Sequence, residues 1–295
     1  MLRIALVQQA VGPAPARNLT RGLEAARRAA GNGARLVAFP ELAFTEFHPQ
    51  NRLGGDRLAL TEPVPGPTTD AFQKLAQELG IVVVLNLFER DGDRAFDSSP
   101  VIDANGSLLG VTRMMHITQY EGFWEQDYYD PGDTGAPVYQ TAVGRIGVAI
   151  CYDRHFPEYM RALAVSGAQL VVVPQAGAVG EWPGDMFTAE LRTAAFQNGY
   201  FAALVNRVGR ESVLEFAGGS FVTDAEGTIV DQAPTGEEAT LITDIDLGAL
   251  QTATANALFK RHRRPDDYEN GAARTRLVRP ADQSPEIADR YSSNV

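Results

Sequence analysis

Cys151 is the only cysteine of the chain, and it stands where an apolar run, Ile146-Gly-Val-Ala-Ile150, stops. A thiol at a strand end and ahead of a helix is presented above a sheet edge. The backbone N–H groups that follow, Tyr152 first, are placed to meet a developing oxyanion, and the helix terminus favours a thiolate. A lone cysteine is more often a small buried hydrophobe. Here the flanking Tyr152-Asp-Arg-His-Phe-Pro-Glu158 is a charged cluster too dense to serve packing. Glu41 repeats the pattern, ending the buried run Leu36-Val-Ala-Phe-Pro-Glu41 at a loop, where a carboxylate suits acceptance of a thiol proton. Further acids, Glu121, Glu125 and Asp127, lie among the aromatics of 117–137. Aromatic surroundings exclude water and raise a carboxyl pKa, which suits proton shuttling. Taken singly, each acid reads as an ordinary loop carboxylate.

The elements that must position these groups alternate along the chain. Residues 2–8 read as a strand, 17–31 as an amphipathic helix closed by glycines, and 35–41 as a buried strand. Thr68 or Thr69 is expected to cap a helix over about 70–79, and Ile81 to Phe88 to form one apolar strand of a sheet covered on both faces. Residues 95–103 and 107–116 pair around Asn105-Gly106, a hairpin signal. Strands follow at 138–142, 144–150 and 168–173, helices at 156–166 and 185–198, and strands again at 200–206, 217–223, 228–232 and 239–245. Helices alternate with strands in places and hairpins in others, which implies an α/β fold with two sheets and helices outside them. The chain divides into a core domain, 1–247, and a polar, arginine-rich extension, 248–295, expected to be an arm on a partner subunit.

At 295 residues the chain fits one α/β domain with a large core. A formal net charge of −11 argues against nucleic acid or an anionic membrane surface as its main partner. No apolar run is long enough for a membrane span, and the opening segment reads as a strand, so the cytoplasm is the expected location. One cysteine excludes an intrachain disulfide, and His48, His116, His155 and His262 have no zinc-site spacing; no metal is expected. Gly12 between Val11 and Pro13 is no dinucleotide-binding loop.

Several segments match, in order, the pattern of the nitrilase superfamily: Leu36–Glu41, Arg113–Ile117, Glu125 through Pro131-Gly-Asp133, Gly147–Glu158, Asn206–Glu211, Gly218-Gly-Ser220 and Arg263-Arg-Pro265 with Tyr268. The chain therefore resembles that superfamily over roughly residues 2–268, and within it the amidase and N-carbamoyl-amine hydrolase branches. The resemblance implies a four-layer α-β-β-α sandwich that pairs through helices beside the active site into a homodimer or larger assembly. It also implies cleavage of non-peptide C–N bonds without cofactor or metal. Carried over by residue, Cys151 is the nucleophile, Glu41 the general base, Glu125 the second glutamate and the Tyr152 N–H an oxyanion donor.

One position departs. The family's Arg-Lys-x-His stands here as Arg113-Met114-Met115-His116, so Met114 occupies the place of the lysine that helps hold the oxyanion. The chain has only two lysines, Lys74 and Lys260, both poorly placed to substitute. Arg113 should point away from the site, whereas His116 should share the face of Met114. A lost oxyanion donor costs about 3–4 kcal/mol in the transition state. The alternative to a hydrolase is thus an impaired homologue that binds a small molecule or a protein.

Around the pocket, Arg154 is expected to meet a substrate carboxylate, or to pair with Glu158 or a partner acid. Gln175, Glu181 and Trp182 belong to a bordering loop. Glu181 or Glu121 would suit an amine-bearing substrate, and Arg154 an acidic one. Glu190-Leu-Arg-Thr-Ala-Ala resembles N-carbamoyl-β-alanine hydrolases, while Arg154-His-Phe-Pro-Glu158 is closer to N-carbamoylputrescine amidases. The substrate expected is a small linear amide or N-carbamoyl compound.

Overall fold

The structure is a computed structural model, and it describes residues 1–268. The first half of the chain runs β1 (Leu2–Gln8), α1 (Pro15–Gly31), β2 (Leu36–Ala38), β3 (Glu62–Pro63), α2 (Pro67–Leu79), β4 (Val82–Val84), β5 (Leu87–Asp91), β6 (Arg94–Ile102) and β7 (Leu108–Arg113). The second half runs β8 (Val138–Thr141), β9 (Gly144–Val148), α3 (Pro157–Val165), β10 (Leu170–Gln175), α4 (Met186–Asn198), β11 (Phe201–Asn206), β12 (Val208–Arg210), β13 (Glu215–Ala217), β14 (Phe221–Thr223), β15 (Ile229–Gln232), β16 (Ala239–Ile245) and α5 (Thr254–Ala257). Among the described residues these strands form an eight-stranded sheet, a six-stranded sheet and the small β12–β13 ribbon.

The period-2 alternation of side chains divides each strand between two cores. Ile4, Leu6, Leu36, Val82 and Val84 of the first sheet meet Ile146, Val148, Leu170, Val172, Ala203 and Val205 of the second in one buried cluster. Their neighbours Ala5, Val7, Val37 and Val83 face outward onto α1 and α2 through Ala25, Ala26, Phe72 and Leu75. Val171, Val173, Ala202 and Leu204 do the same toward α3 and α4 through Met160, Leu163, Leu191 and Ala195. Helix, sheet, sheet, helix: the fold is the four-layer α-β-β-α sandwich that the resemblance implied. β1, β2 and β4 run parallel, as do β9, β10 and β11, so β2 and β10 end at one edge of their sheets.

Several local expectations are corrected. The apolar run 81–88 is not one strand: it breaks at Leu85–Asn86 between β4 and β5. The Asn86 side chain there takes the Leu42 N–H at 2.7 Å and gives an N–H to Asp97 at 2.5 Å. α2 starts earlier than expected, with Gly66 as its N-cap residue, and Thr69 takes part in the cap from the third helical position, its hydroxyl accepting the Gly66 N–H at 2.7 Å. β2 is confined to Leu36–Ala38, leaving Phe39–Glu41 as the turn that carries the carboxylate.

Met1–Lys260 form one compact unit, which takes in the turn Leu247–Gln251 and α5. Residues 261–268 lie outside it and contain one short helical turn, Pro265–Asp267. The arm expected from 248 onward falls in part on 269–295, outside the described residues. No helix among the described residues is long and apolar enough to cross a membrane.

Candidate active site

Two strand ends and one loop deliver the chemistry. Beyond β2 the chain turns at Leu42, whose φ of 43° is left-handed, and this aims Glu41 inward, fully buried. A left-handed leucine is strained and persists only where its surroundings over-determine it. Arg207, itself buried, supplies that constraint. Its Nη1 donates to the carbonyls of Glu41 (2.9 Å) and Leu42, its Nη2 donates to that of Thr45 (3.1 Å), and Glu211 pairs with it. Beyond β9, Cys151 is also left-handed, with φ 42°, and opens a 3-10 turn, Cys151–His155, before α3. The first intraturn bond is Asp153 N–H to Ile150 O at 2.8 Å, so the N–H groups of Cys151 and Tyr152 have no carbonyl inside the turn to take. Glu125 enters from the aromatic loop on its own 3-10 turn, Glu125–Asp127, and is fully buried.

The fold brings these three together: the Cys151 sulfur and one carboxylate oxygen each of Glu41 and Glu125 lie within 4.8 Å of one another. Asp97 of β6 joins them and escaped the sequence reading. The signal was present in the polar run Asp97-Ser98-Ser99 within a strand, all fully buried. Neither oxygen of Glu41 accepts from a fixed donor; the polar groups beside it are the Asp97 carboxyl and the Cys151 thiol. Such neighbours bond to Glu41 only if one of the group carries a proton. Burial first, then the charges of Asp97 and Glu125, hold Glu41 well above the usual carboxylate range. Asp97 is pushed up to about 7, chiefly by burial, against the pull of its bonds from Glu41 and Asn86. Glu125 is raised by burial and by Asp97, while the Thr118 N–H bonds one of its oxygens at 3.3 Å. Burial followed by the charges of Glu41, Glu125 and Glu181 raises the Cys151 thiol. Burial and mutual charge thus both favour the protonated forms of the thiol and of these carboxyls.

Met114 is buried in the same apolar cluster as Cys151, Tyr128 and Tyr129, and it brings no charge. Arg113 points outward as expected, gripping Glu89 (2.6 Å), Asp91 (2.9 Å) and Asp133 (3.0 Å). Lys74 is exposed on α2 and Lys260 half-buried beyond α5. The hydroxyl of Tyr129, also missed from sequence, is buried without a hydrogen-bond partner in the field of Asp97, Glu41 and Glu125.

The outer residues sort differently from expectation. His116 does not share a strand face with Met114, because β7 ends at Arg113. Its Nδ1 meets Asp153 at 2.7 Å and its ring stacks on Phe156, with centroids 3.6 Å apart. Asp153 also takes the N–H groups of Met115 (3.2 Å) and His116 (3.0 Å), tying the Met114 segment to the cysteine turn. Arg154 meets Glu190, not Glu158, and is 2 % exposed, while its Nη2 is buried without a hydrogen-bond partner. Glu121 is exposed. Glu181 is turned inward instead, accepting from the Tyr120 hydroxyl (2.6 Å) and the Ala178 N–H (2.9 Å), with its charge felt at Cys151. Trp182 packs its ring against Tyr120 and His155. Gln175, at the end of β10, donates its amide N–H to the Cys151 sulfur at 3.2 Å.

A thiol, carboxylates able to take and return its proton, and backbone donors beside the sulfur make up the equipment of covalent acyl transfer. Comparison with known proteins bears on the same point. The family model described as carbon-nitrogen hydrolase matches residues 3–255. The chain is 34% identical over 259 residues to an N-carbamoylputrescine amidase of Arabidopsis thaliana, covering 82% of this chain and 86% of that one. It is 31% identical over 280 residues to a citrullinase of Francisella tularensis subsp. tularensis, covering 91% and 97%. Among solved structures, a carbon-nitrogen hydrolase from Helicobacter pylori G27 superposes with a TM-score of 0.85 at 28% identity, covering 91% of this chain and 97% of that one.

Proposed function

The chain belongs to the carbon–nitrogen hydrolase family, and from that premise we propose that it hydrolyses the carbamoyl or amide group of a small linear compound bearing an amine. The observation that carries this reading is the meeting of Cys151, Glu41 and Glu125 within 4.8 Å, all three of them buried. The amine is argued from charge. Glu41, Asp97, Glu125 and Glu181 face the pocket, the lysine position holds Met114, and Arg154 is occupied by Glu190. A cationic substrate supplies the missing positive charge, and an anionic one adds to the repulsion. The name of one relative agrees, since carbamoylputrescine carries a carbamoylated amine and a free amine on an alkyl chain, whereas citrulline carries a carboxylate beside its amine.

In this mechanism Glu41 takes the Cys151 proton as the sulfur attacks the carbonyl carbon. The Tyr152 N–H receives the oxyanion. Glu41 returns the proton to the departing ammonia or amine, leaving a thioester on Cys151. Water then loses a proton to Glu41, Glu125 assisting, and its hydroxyl attacks the thioester carbon; collapse expels the thiolate, which recovers the proton. Desolvation of the thiol makes the proton transfer uphill, so substrate must contribute to it.

Two further readings belong here. A groove of about 290 Å³ between α3 and α4, lined by Met160, Met186, Ala189 and Ala194 and reaching Arg154 and His155, supports a homodimer that meets beside the cysteine turn. A single reduced thiol used as a nucleophile suits the cytoplasm.

Met114 favours a second function, a binding protein that has lost its chemistry. Ammonia release from N-carbamoyl diamines, N-carbamoyl amino acids and ω-amides decides between the two. We expect turnover of the amine-bearing members, with a loss of at least about 10³ in Cys151→Ala. Silence in the parent, with turnover in Met114→Lys, would instead mean that the site is intact but disabled. Silence in both variants would reject the hydrolase reading for these compounds.

A further inference from the structure

The Cys151 sulfur has one side-chain donor among its polar contacts, and it is not the residue that the family pattern provides. Gln175 Nε2 lies 3.2 Å from Sγ. Which end of the amide faces the sulfur is fixed by the other end: Arg154 Nε donates to Gln175 Oε1 at 2.9 Å, and a guanidinium cannot accept. Arg154 is held by Glu190, whose second oxygen meets His155 Nδ1 at 2.8 Å. Gln175 and Arg154 are both almost fully buried, and the Gln175 carbonyl takes the Arg207 N–H at 3.1 Å. The amide is thus mounted on a rigid strand end, aimed, and polarised by a buried cation on its far side.

We propose that Gln175 is a catalytic residue, donating its N–H to the sulfur at rest and to the oxyanion after attack, in the place left by the lysine. The geometry allows both contacts. An oxyanion on the carbon bonded to sulfur lies about 3 Å from that sulfur, within reach of a donor already bonded to it. The proton donated is shared, not transferred, so the bond changes remain those of the acyl transfer above. This role rests on the hydrolase reading.

The groups facing the sulfur are Glu41 from the β2 turn, Glu125 from the aromatic loop, Glu181 from the loop after β10, and Gln175 itself. Because Cys151 is the only cysteine, alkylation by iodoacetamide reads this thiol alone. Gln175→Met removes the donor at similar volume. Gln175→Glu keeps the bond from Arg154 and replaces the N–H with an acceptor. At about pH 8 we expect the alkylation rate to fall roughly tenfold in Gln175→Met and further in Gln175→Glu. On any amide turned over, kcat should fall about 10²–10³ with KM changed less than about threefold. Met114→Lys added to Gln175→Met should restore the alkylation rate.

A Gln175→Glu protein that melts like the parent and is alkylated at the parent rate overturns the proposal, since it would leave Gln175 only the structural task of holding Arg154. Failure of Met114→Lys to restore the rate overturns the substitution for lysine. Alkylation is read whether or not any amide is hydrolysed, so loss of the hydrolase reading and loss of this role give different results.

Discussion

At the scale of residues, the site is a set of acids that cannot all be ionised. Glu41, Asp97 and Glu125 are fully buried around a buried thiol, with no cation among them. Like charges so placed retain protons, and Asp97 is held at about 7. The general base must be ionised to act, so kcat/KM should rise with pH through the neutral range instead of plateauing near the ordinary carboxylate pKa. Asp97→Asn removes one negative neighbour while keeping an oxygen for the Asn86 amide. The sign follows: less repulsion stabilises ionised Glu41, so the acidic limb should move to lower pH. A pH–rate profile of the variant tests this, and a limb that stays in place or moves upward contradicts it.

At the scale of elements, two left-handed turns do the positioning, and they are held by different means. The Cys151 turn is tied by the Asp153 carboxylate to the Met115 and His116 backbone. The Glu41 turn is held by Arg207, which arrives from just beyond β11 and takes three carbonyls. Removing one partner of a buried ion pair leaves the other unpaired and costs about 3–5 kcal/mol. Arg207→Met should therefore lower stability by that order in chemical denaturation, leaving Glu211 buried without its cation. Because Glu41 would lose its fixed direction, kcat should fall in the variant even where it is folded. A variant as stable and as active as the parent would show that the Glu41 turn holds itself.

At the scale of the whole molecule, the sandwich places two parallel strand ends, those of β2 and β10, at one rim, and the site is assembled there from both sheets. The outer face nearest to it is the α3–α4 groove, apolar through Met160, Met186 and Ala194 and continuous with Arg154 and His155 of the cysteine turn. A homodimer through this face would bury the outer side of the Arg154–Glu190 pair. Met186→Glu is expected to yield a monomer in sedimentation, with activity reduced several-fold by loosening that pair. A parent that sediments as a monomer would reject the dimer outright.

Sequence alone determined the layers, because two periodicities are written along the chain. Alternation splits each strand between two cores, and the apolar faces of α1 and α2 answer one of them. Cys151 and Glu41 stood out as the ends of apolar runs, but their roles and that of Glu125 came from the resemblance to the nitrilase superfamily, since each acid taken singly reads as a loop carboxylate. Met114 was legible as a departure only against that superfamily's Arg-Lys-x-His pattern. What tertiary structure decided is everything that depends on a partner distant in the chain. Asp97 looked like one polar strand residue until Glu41 stood beside it, and Arg154 looked open until Glu190 met it from α4. His116 left the expected face because β7 stopped three residues early. Gln175 became a donor to sulfur only when β10 ended beside the turn after β9. A hydrogen bond needs an angle and about 3 Å, and sequence spacing fixes neither across two sheets.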